Sequence, residues 1–134
     1  MDNLTKAQRP KNMQNIRSVG TKPEKLLTKK LRSRGLYFTQ HVKNLPGKPD
    51  IVFRKKKVVV FIDSDFWHAH PKRFIMPRTN MKYWRSKIRY NIARDKAVNK
   101  NLRESGWCVV RVWEHDIRKN INRCAKRVFA IVKS

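Results

Sequence analysis

Acid is what this chain has least of: nine Asp and Glu stand against 34 Lys and Arg, a formal net charge of +25 over 134 residues. Self-repulsion on that scale is tolerable mainly when a polyanion neutralises it. Nucleic acid is therefore the expected partner, with an anionic membrane surface as the rival. Apolar runs are short: none approaches the length of a membrane-spanning helix, and the polar start MDNLTKAQRPKN does not read as a signal peptide. A cytoplasmic, nucleic-acid-associated protein with no membrane partner is expected. Cysteine is nearly absent too. Cys108 and Cys124 form no C-x-x-C pair, which leaves no thiolate cluster for a metal or redox centre and assigns both to packing in a reducing compartment. Repeats, low-complexity tracts and linkers are also missing, so a single domain over 1–134 is expected, with residues 1–20 as a basic arm that orders on a partner.

What the chain does have is concentrated between Leu45 and His70, LPGKPDIVFRKKKVVVFIDSDFWHAH. Asp50 heads one short β-branched run and Asp63 ends another, Val58 to Ile62, with Arg54-Lys55-Lys56-Lys57 between them. Two such runs joined by a polar link predict a β-hairpin, which brings the start of the first strand beside the end of the second and so Asp50 beside Asp63. Two carboxylates in one place repel, and that placing calls for a cation or a function.

The remaining elements follow from caps and periodicity. Thr21-Lys22-Pro23-Glu24 predicts a helix start with Thr as N-cap, Pro in the first turn and Glu completing a capping box; Leu27 and Leu31 form its apolar stripe and Gly35 ends it. Leu36 to Val42 reads as a strand. A long helix is expected from about Asn80 to Ser105, stopped by Gly106. At roughly 100° per residue Trp84, Ile88, Ile92, Val98 and Leu102 share a face, with Asp95 in its middle. Trp107 to Trp113 reads as a strand, and Glu114 to Lys133 as a closing helix with Ile117, Ile121, Ala125, Val128 and Val132 inward. The order predicts an α/β domain with a mixed sheet flanked by helices, the last strand joining after a helical crossover.

Among the acids, Glu24 is explained by its cap, and Asp50 either terminates a turn after Pro49 or holds Mg²⁺ as a nuclease carboxylate does. Asp63 and Asp65 read as turn residues or as part of a site, and Asp65 is the better fit to a turn. A lone Asp95 on an apolar helix face is costly unless paired or ligated, which favours a buried hydrogen-bonding or catalytic role. His68 and His70 follow Phe66-Trp67, and beside a Mg²⁺ site a His is a natural acid or base near neutral pH. Phe66-Trp67 is either core or an aromatic wedge for a base stack.

KNMQNIRS, TKPE, LPGKPDIVF, VVVFIDSDFWHAHP, NIARDKAVNKNLRESGW and VVRVWEHDI together resemble the very-short-patch-repair (Vsr) DNA mismatch endonucleases, from about Arg9 to Ile117, and the Vsr-like homing endonucleases with the same catalytic signature. The resemblance implies a restriction-endonuclease-like fold, a variant of the PD-(D/E)xK nucleases, and a Mg²⁺-dependent single-strand cut in double-stranded DNA, with Mn²⁺ able to substitute. It implies Asp50 as the main metal ligand with the backbone carbonyl of Ile62, His68 as general acid or base, Asp95 orienting it, and Asp63 and Glu24 completing the polar shell. It makes Phe66 and Trp67 residues that insert beside a mismatch from one groove, and Met13 and Ile16 wedges from the other, on an arm whose Lys11 and Arg17 meet DNA. Zinc-type relatives hold a structural ion with three Cys and one His. The matching positions here are Asp65, His70, Lys72 and His115, and without a thiolate no structural Zn²⁺ is expected. A monomer is expected, open to recruitment by other DNA-processing proteins. The rival readings are a homing or site-specific nuclease without mismatch preference and a non-catalytic basic DNA-binding protein.

Overall fold

A computed structural model describes residues 21–64 and 75–134. Its elements are α1 (Lys22–Ser33), β1 (Thr39–Gln40), β2 (Ile51–Phe53), β3 (Val58–Asp63), α2 (Met81–Glu104), β4 (Cys108–Trp113), α3 (Glu114–Lys119) and α4 (Ile121–Lys133). The four strands lie in chain order: β1 and β2 pair antiparallel, β2 and β3 form the expected hairpin, and β4 joins β3 in parallel after the α2 crossover. This is the mixed α/β arrangement that the sequence predicts.

Strand alternation sorts the apolar residues into two layers. Ile51, Phe53, Val58, Val60, Val110 and Val112 pack with Leu27 and Leu31 of α1, Ile117 of α3 and Val128 of α4. On the opposite face Val52, Val59 and Phe61 pack with Val98 and Leu102 of α2. A sheet covered on both sides needs unbroken apolar strands rather than alternating ones, which is why Val58 to Phe61 is an uninterrupted run of buried residues. Leu27 and Leu31 are fully buried, each contributing about 1.5–3 kcal/mol of transfer free energy.

Helices α1 and α2 both end where glycine allows a left-handed residue. Gly35 has φ +81 and Gly106 φ +88. After α1 the Leu36 N–H reaches back to Leu31 O (3.2 Å), and after α2 the Trp107 N–H reaches Leu102 O (2.9 Å). Each is a Schellman closure, and the following residue joins the core beside the helix end: Leu36 lies in the same cluster as Leu31, and Trp107 packs against the cluster that contains Leu102.

Three expectations are corrected. The strand expected over Leu36 to Val42 is two residues long, because His41 takes a left-handed conformation (φ +53) that ends the extended run. The closing helix is two helices broken at Asn120 (φ −151), whose side chain caps α4 by accepting from the Arg123 N–H at 3.1 Å. Cys108 is exposed rather than packed, whereas Cys124 is buried and its thiol pKa is raised by that burial. Among the described residues no helix is long and apolar enough to cross a membrane.

Candidate active site

The site is built where three backbone features meet: the start of α1, the turn from β1 into β2, and the carboxyl ends of β3 and β4. Antiparallel pairing sets Ile51 opposite Val60, and the Asp50 N–H donates to Val60 O at 3.1 Å. One step along, the Ile62 N–H donates to Asp50 Oδ2 at 2.7 Å. The hairpin register thus clamps both the backbone and the side chain of Asp50. Asp50 and Asp63 line one cleft of about 440 Å³ together with His41, Ile62, Asp95 and Arg111, and the exposed cations Lys43, Lys48 and Arg94 stand on its walls.

Burial pushes the Asp50 pKa up to about 7. The Ile62 N–H opposes the rise, Glu24 adds to it, His41 opposes it and Asp63 adds a smaller push. A cation placed against a carboxylate that costly to ionise would favour its charged form.

Glu24 is 2% exposed. Its backbone makes the predicted cap, the N–H donating to Thr21 Oγ1 at 3.4 Å, but its carboxylate turns into the site. Gln40 Nε2 donates to Glu24 Oε2 at 3.1 Å, and His41 Nε2 meets the same oxygen. Arg32 Nη2 donates to Gln40 Oε1 at 2.7 Å, which fixes the sense of the Gln40 amide so that its NH₂ faces Glu24. Glu24, His41 and Asp50 each offer a ligand atom, all within 4.8 Å of one another, a group that could hold a metal ion.

On the α2 side of the sheet Arg111 gathers the other acids. Its Nη1 donates to Asp63 Oδ1 at 2.9 Å and lies 3.8 Å from Asp95 Oδ1, its Nε donates to Asn99 Oδ1 at 2.9 Å, and its Cζ stacks 4.2 Å from the Phe61 ring centroid. Asp63 is buried, not a solvated turn residue, and Asp95 on the apolar face of α2 is paired as its position requires.

The structure therefore brings Glu24, Asp50, Asp63 and Asp95 together with the Ile62 backbone. His115 sits half-buried in the first turn of α3. Lys11, Met13, Ile16, Arg17, Asp65, Phe66, Trp67, His68, His70 and Lys72 lie outside the described residues. His41, Gln40 and Arg111 escaped sequence reasoning. The only hint for the first two was a polar Gln-His pair cutting short an expected strand, and Arg111 was one of 34 basic residues.

The family model "DNA mismatch endonuclease Vsr" matches residues 1–73. The chain is 42% identical over 135 aligned positions to the "Type II nicking enzyme V.NmeDIP" of Neisseria meningitidis serogroup C, covering 99% of this chain and 91% of that one. It is 40% identical over 124 positions to the "Type II nicking enzyme V.HpaIIP" of Haemophilus parainfluenzae, covering 90% and 87%. It is also 40% identical over 114 positions to the "DNA mismatch endonuclease Vsr" of Escherichia coli K12, covering 84% and 73%. Matches that span more than half of the chain, together with a cleft lined by Asp50, Asp63 and Asp95 in a strongly cationic molecule, establish that this chain belongs to the Vsr family of DNA endonucleases.

Proposed function

We propose that this endonuclease nicks one strand of double-stranded DNA in a Mg²⁺-dependent reaction, with Mn²⁺ able to substitute, and acts at T·G mismatches as a monomer. The observation that carries the reading is Asp50: a half-buried carboxylate clamped by Ile62, beside Glu24, on a cleft walled by Lys43, Lys48 and Arg94. The donor set of carboxylates and one imidazole, within 4.8 Å of one another, fits a divalent ion. Asp50 would hold it, together with the Ile62 carbonyl. In an extended strand N–H and C=O of one residue point to the same neighbour, so that carbonyl shares the edge on which the Ile62 N–H meets Asp50. When bound, such an ion neutralises charge building on the phosphate and the leaving oxygen and eases formation of the attacking hydroxide.

The residues of the chain do the rest. Lys43, Lys48 and Arg94 draw in the phosphodiester and hold it over the acids. Gln40 keeps Glu24 aimed into the site. His68 takes a proton from the attacking water as a new oxygen–phosphorus bond forms and the old ester bond breaks, with Asp95 orienting it. Phe66 and Trp67 from one groove, and Met13 and Ile16 with Lys11 and Arg17 on the N-terminal arm from the other, open and hold the mismatched step.

The test is incubation with supercoiled plasmid and with short duplexes carrying a T·G or a matched pair, with Mg²⁺ or with chelator. Mg²⁺-dependent conversion to open circles, faster on T·G duplexes, is expected. Equal rates on both duplexes would make it a site-specific nuclease without mismatch preference. Binding without any cut would make it a non-catalytic DNA-binding protein.

A further inference from the structure

The geometry points to His41 as a nitrogen donor to the ion in this cleft, which makes the centre a mixed imidazole–carboxylate site that ranks Mn²⁺ above Mg²⁺. This rests on the metal-dependent reading above and goes beyond it in naming a ligand and an ion preference.

Three observations carry it. First, the backbone holds His41 to this place. Its N–H donates to the Asp50 carbonyl at 3.1 Å, and its φ of +53 is a conformation that a residue other than glycine adopts at a cost. Extended backbone there would continue β1; the left-handed turn sends the imidazole to the site instead. Secondly, Glu24 is held independently of His41. Gln40, fixed by Arg32, donates to Glu24 Oε2, so the carboxylate keeps its place when the ring nitrogen turns to another partner. Thirdly, the spacing fits. Ligands at about 2.1 Å from an octahedral ion lie about 3 Å apart when adjacent and about 4.2 Å apart when opposite. Donor atoms within 4.8 Å of one another reach those separations by small side-chain movements. The ring is 30% exposed, so it adjusts without unpacking the core.

Chemistry then sets the preference. Mg²⁺ demands oxygen ligands in near-ideal geometry and retains its waters, whereas Mn²⁺, although it too takes oxygen ligands, opens the first-row series whose ions bind mixed nitrogen–oxygen sites. A neutral His41 Nε2 lone pair adds little to Mg²⁺ binding and more to Mn²⁺. His41 thereby tunes which ion fills the site, while Asp50 decides whether any ion does.

The experiment binds Mn²⁺ and Mg²⁺ by calorimetric titration to the full chain without DNA. Pulsed electron paramagnetic resonance of the Mn²⁺ form then reads coupling to ¹⁴N. Wild type is expected to show imidazole coupling and at least tenfold tighter binding of Mn²⁺ than Mg²⁺. In His41→Gln the coupling disappears and the Mn²⁺ preference falls about tenfold, with Mg²⁺ affinity little changed; in Asp50→Ala both ions are lost. His41→Asn is the second variant, and whichever keeps the wild-type circular dichroism is read. No nitrogen coupling in wild type, coupling that survives replacement of His41, or Mn²⁺ binding that survives loss of Asp50 overturns the proposal. The plasmid assay separates the two readings. Coupling through His41 without nicking refutes the nuclease reading alone, and nicking without coupling refutes His41 ligation alone.

Discussion

Arg111 Nη1 stands 2.9 Å from Asp63 Oδ1, in the same cleft that holds Asp50, and the guanidinium Cζ lies over the Phe61 ring, 4.2 Å from its centroid. Without it, Asp63 and Asp95 would each lose a cationic partner. Removing one partner of a largely buried pair leaves the other charge desolvated, so Arg111→Leu should lower stability by about 3 kcal/mol. Arg111→Lys keeps the charge but loses the planar fork and the stack, and should retain only part of that stability. Denaturant midpoints of the two variants check the order, and nicking by Arg111→Lys at wild-type rate would show that the cleft needs only the charge.

Asp50 reverses the usual dependence of a carboxylate on pH. Its folded pKa of about 7 lies above the unsupported value of 3.8, so between these two values the folded state keeps a proton that the unfolded state has lost. The metal-free protein should therefore lose stability as pH rises from about 4 to 7, by up to roughly 1.4 kcal/mol per pH unit from this group, and level off above. Asp50→Asn should remove that slope, measured as the difference between the two thermal melting profiles across the range. Nicking should move the other way, declining as pH falls and protons compete with the cation for Asp50; Asp50→Asn should bind DNA and not cut it.

Glu24 separates its two roles. The Thr21 cap depends on the Glu24 backbone N–H, which any residue but proline supplies, whereas the site uses the carboxylate. Glu24→Gln should therefore keep helix α1 and most of the stability while the nicking rate falls on the order of 10²-fold or more. Single-turnover rates on a nicked-product gel check it, and a full rate would return Glu24 to its capping role alone.

Local chemistry carried much of this molecule into view. Gly35 and Gly106 as helix stops, the Asp50-to-Asp63 hairpin and the apolar face of α2 each depend on neighbours within a few residues or on simple periodicity. What stayed hidden is what depends on approach in space. His41 reaches Glu24 from 17 residues away, and Arg111 reaches Asp63 from 48. Neither carries a local signal that separates it from other polar residues. Glu24 shows the ambiguity in one residue: its spacing from Thr21 satisfies a cap, and only the position of Gln40 on the neighbouring strand tells that its carboxylate goes elsewhere. The split of the closing helix at Asn120 was equally local and still missed, because the inward spacing of Ile117, Ile121 and Ala125 runs through the break unchanged.

Gly47 offers a test of how the turn before Asp50 is held. It has φ +74, and a Cβ built there would sit 2.6 Å from Val98 Cγ1 and 3.1 Å from Phe61 Cε1, between α2 and the hairpin. Gly35 has a similar φ of +81 but nothing within 4 Å of the added atom. Alanine at Gly35 should cost only the left-handed backbone strain, about 1–2 kcal/mol. Alanine at Gly47 adds overpacking against two core side chains, about 1–3 kcal/mol more. It should also push the turn away from α2, moving Asp50 off its Ile62 clamp and lowering metal affinity as well as stability. Urea midpoints for both variants, with Mn²⁺ titration of each, check the difference. Equal losses at the two glycines, with metal binding unchanged in Gly47→Ala, would mean that the turn is set by its own backbone and not by contact with Val98 and Phe61.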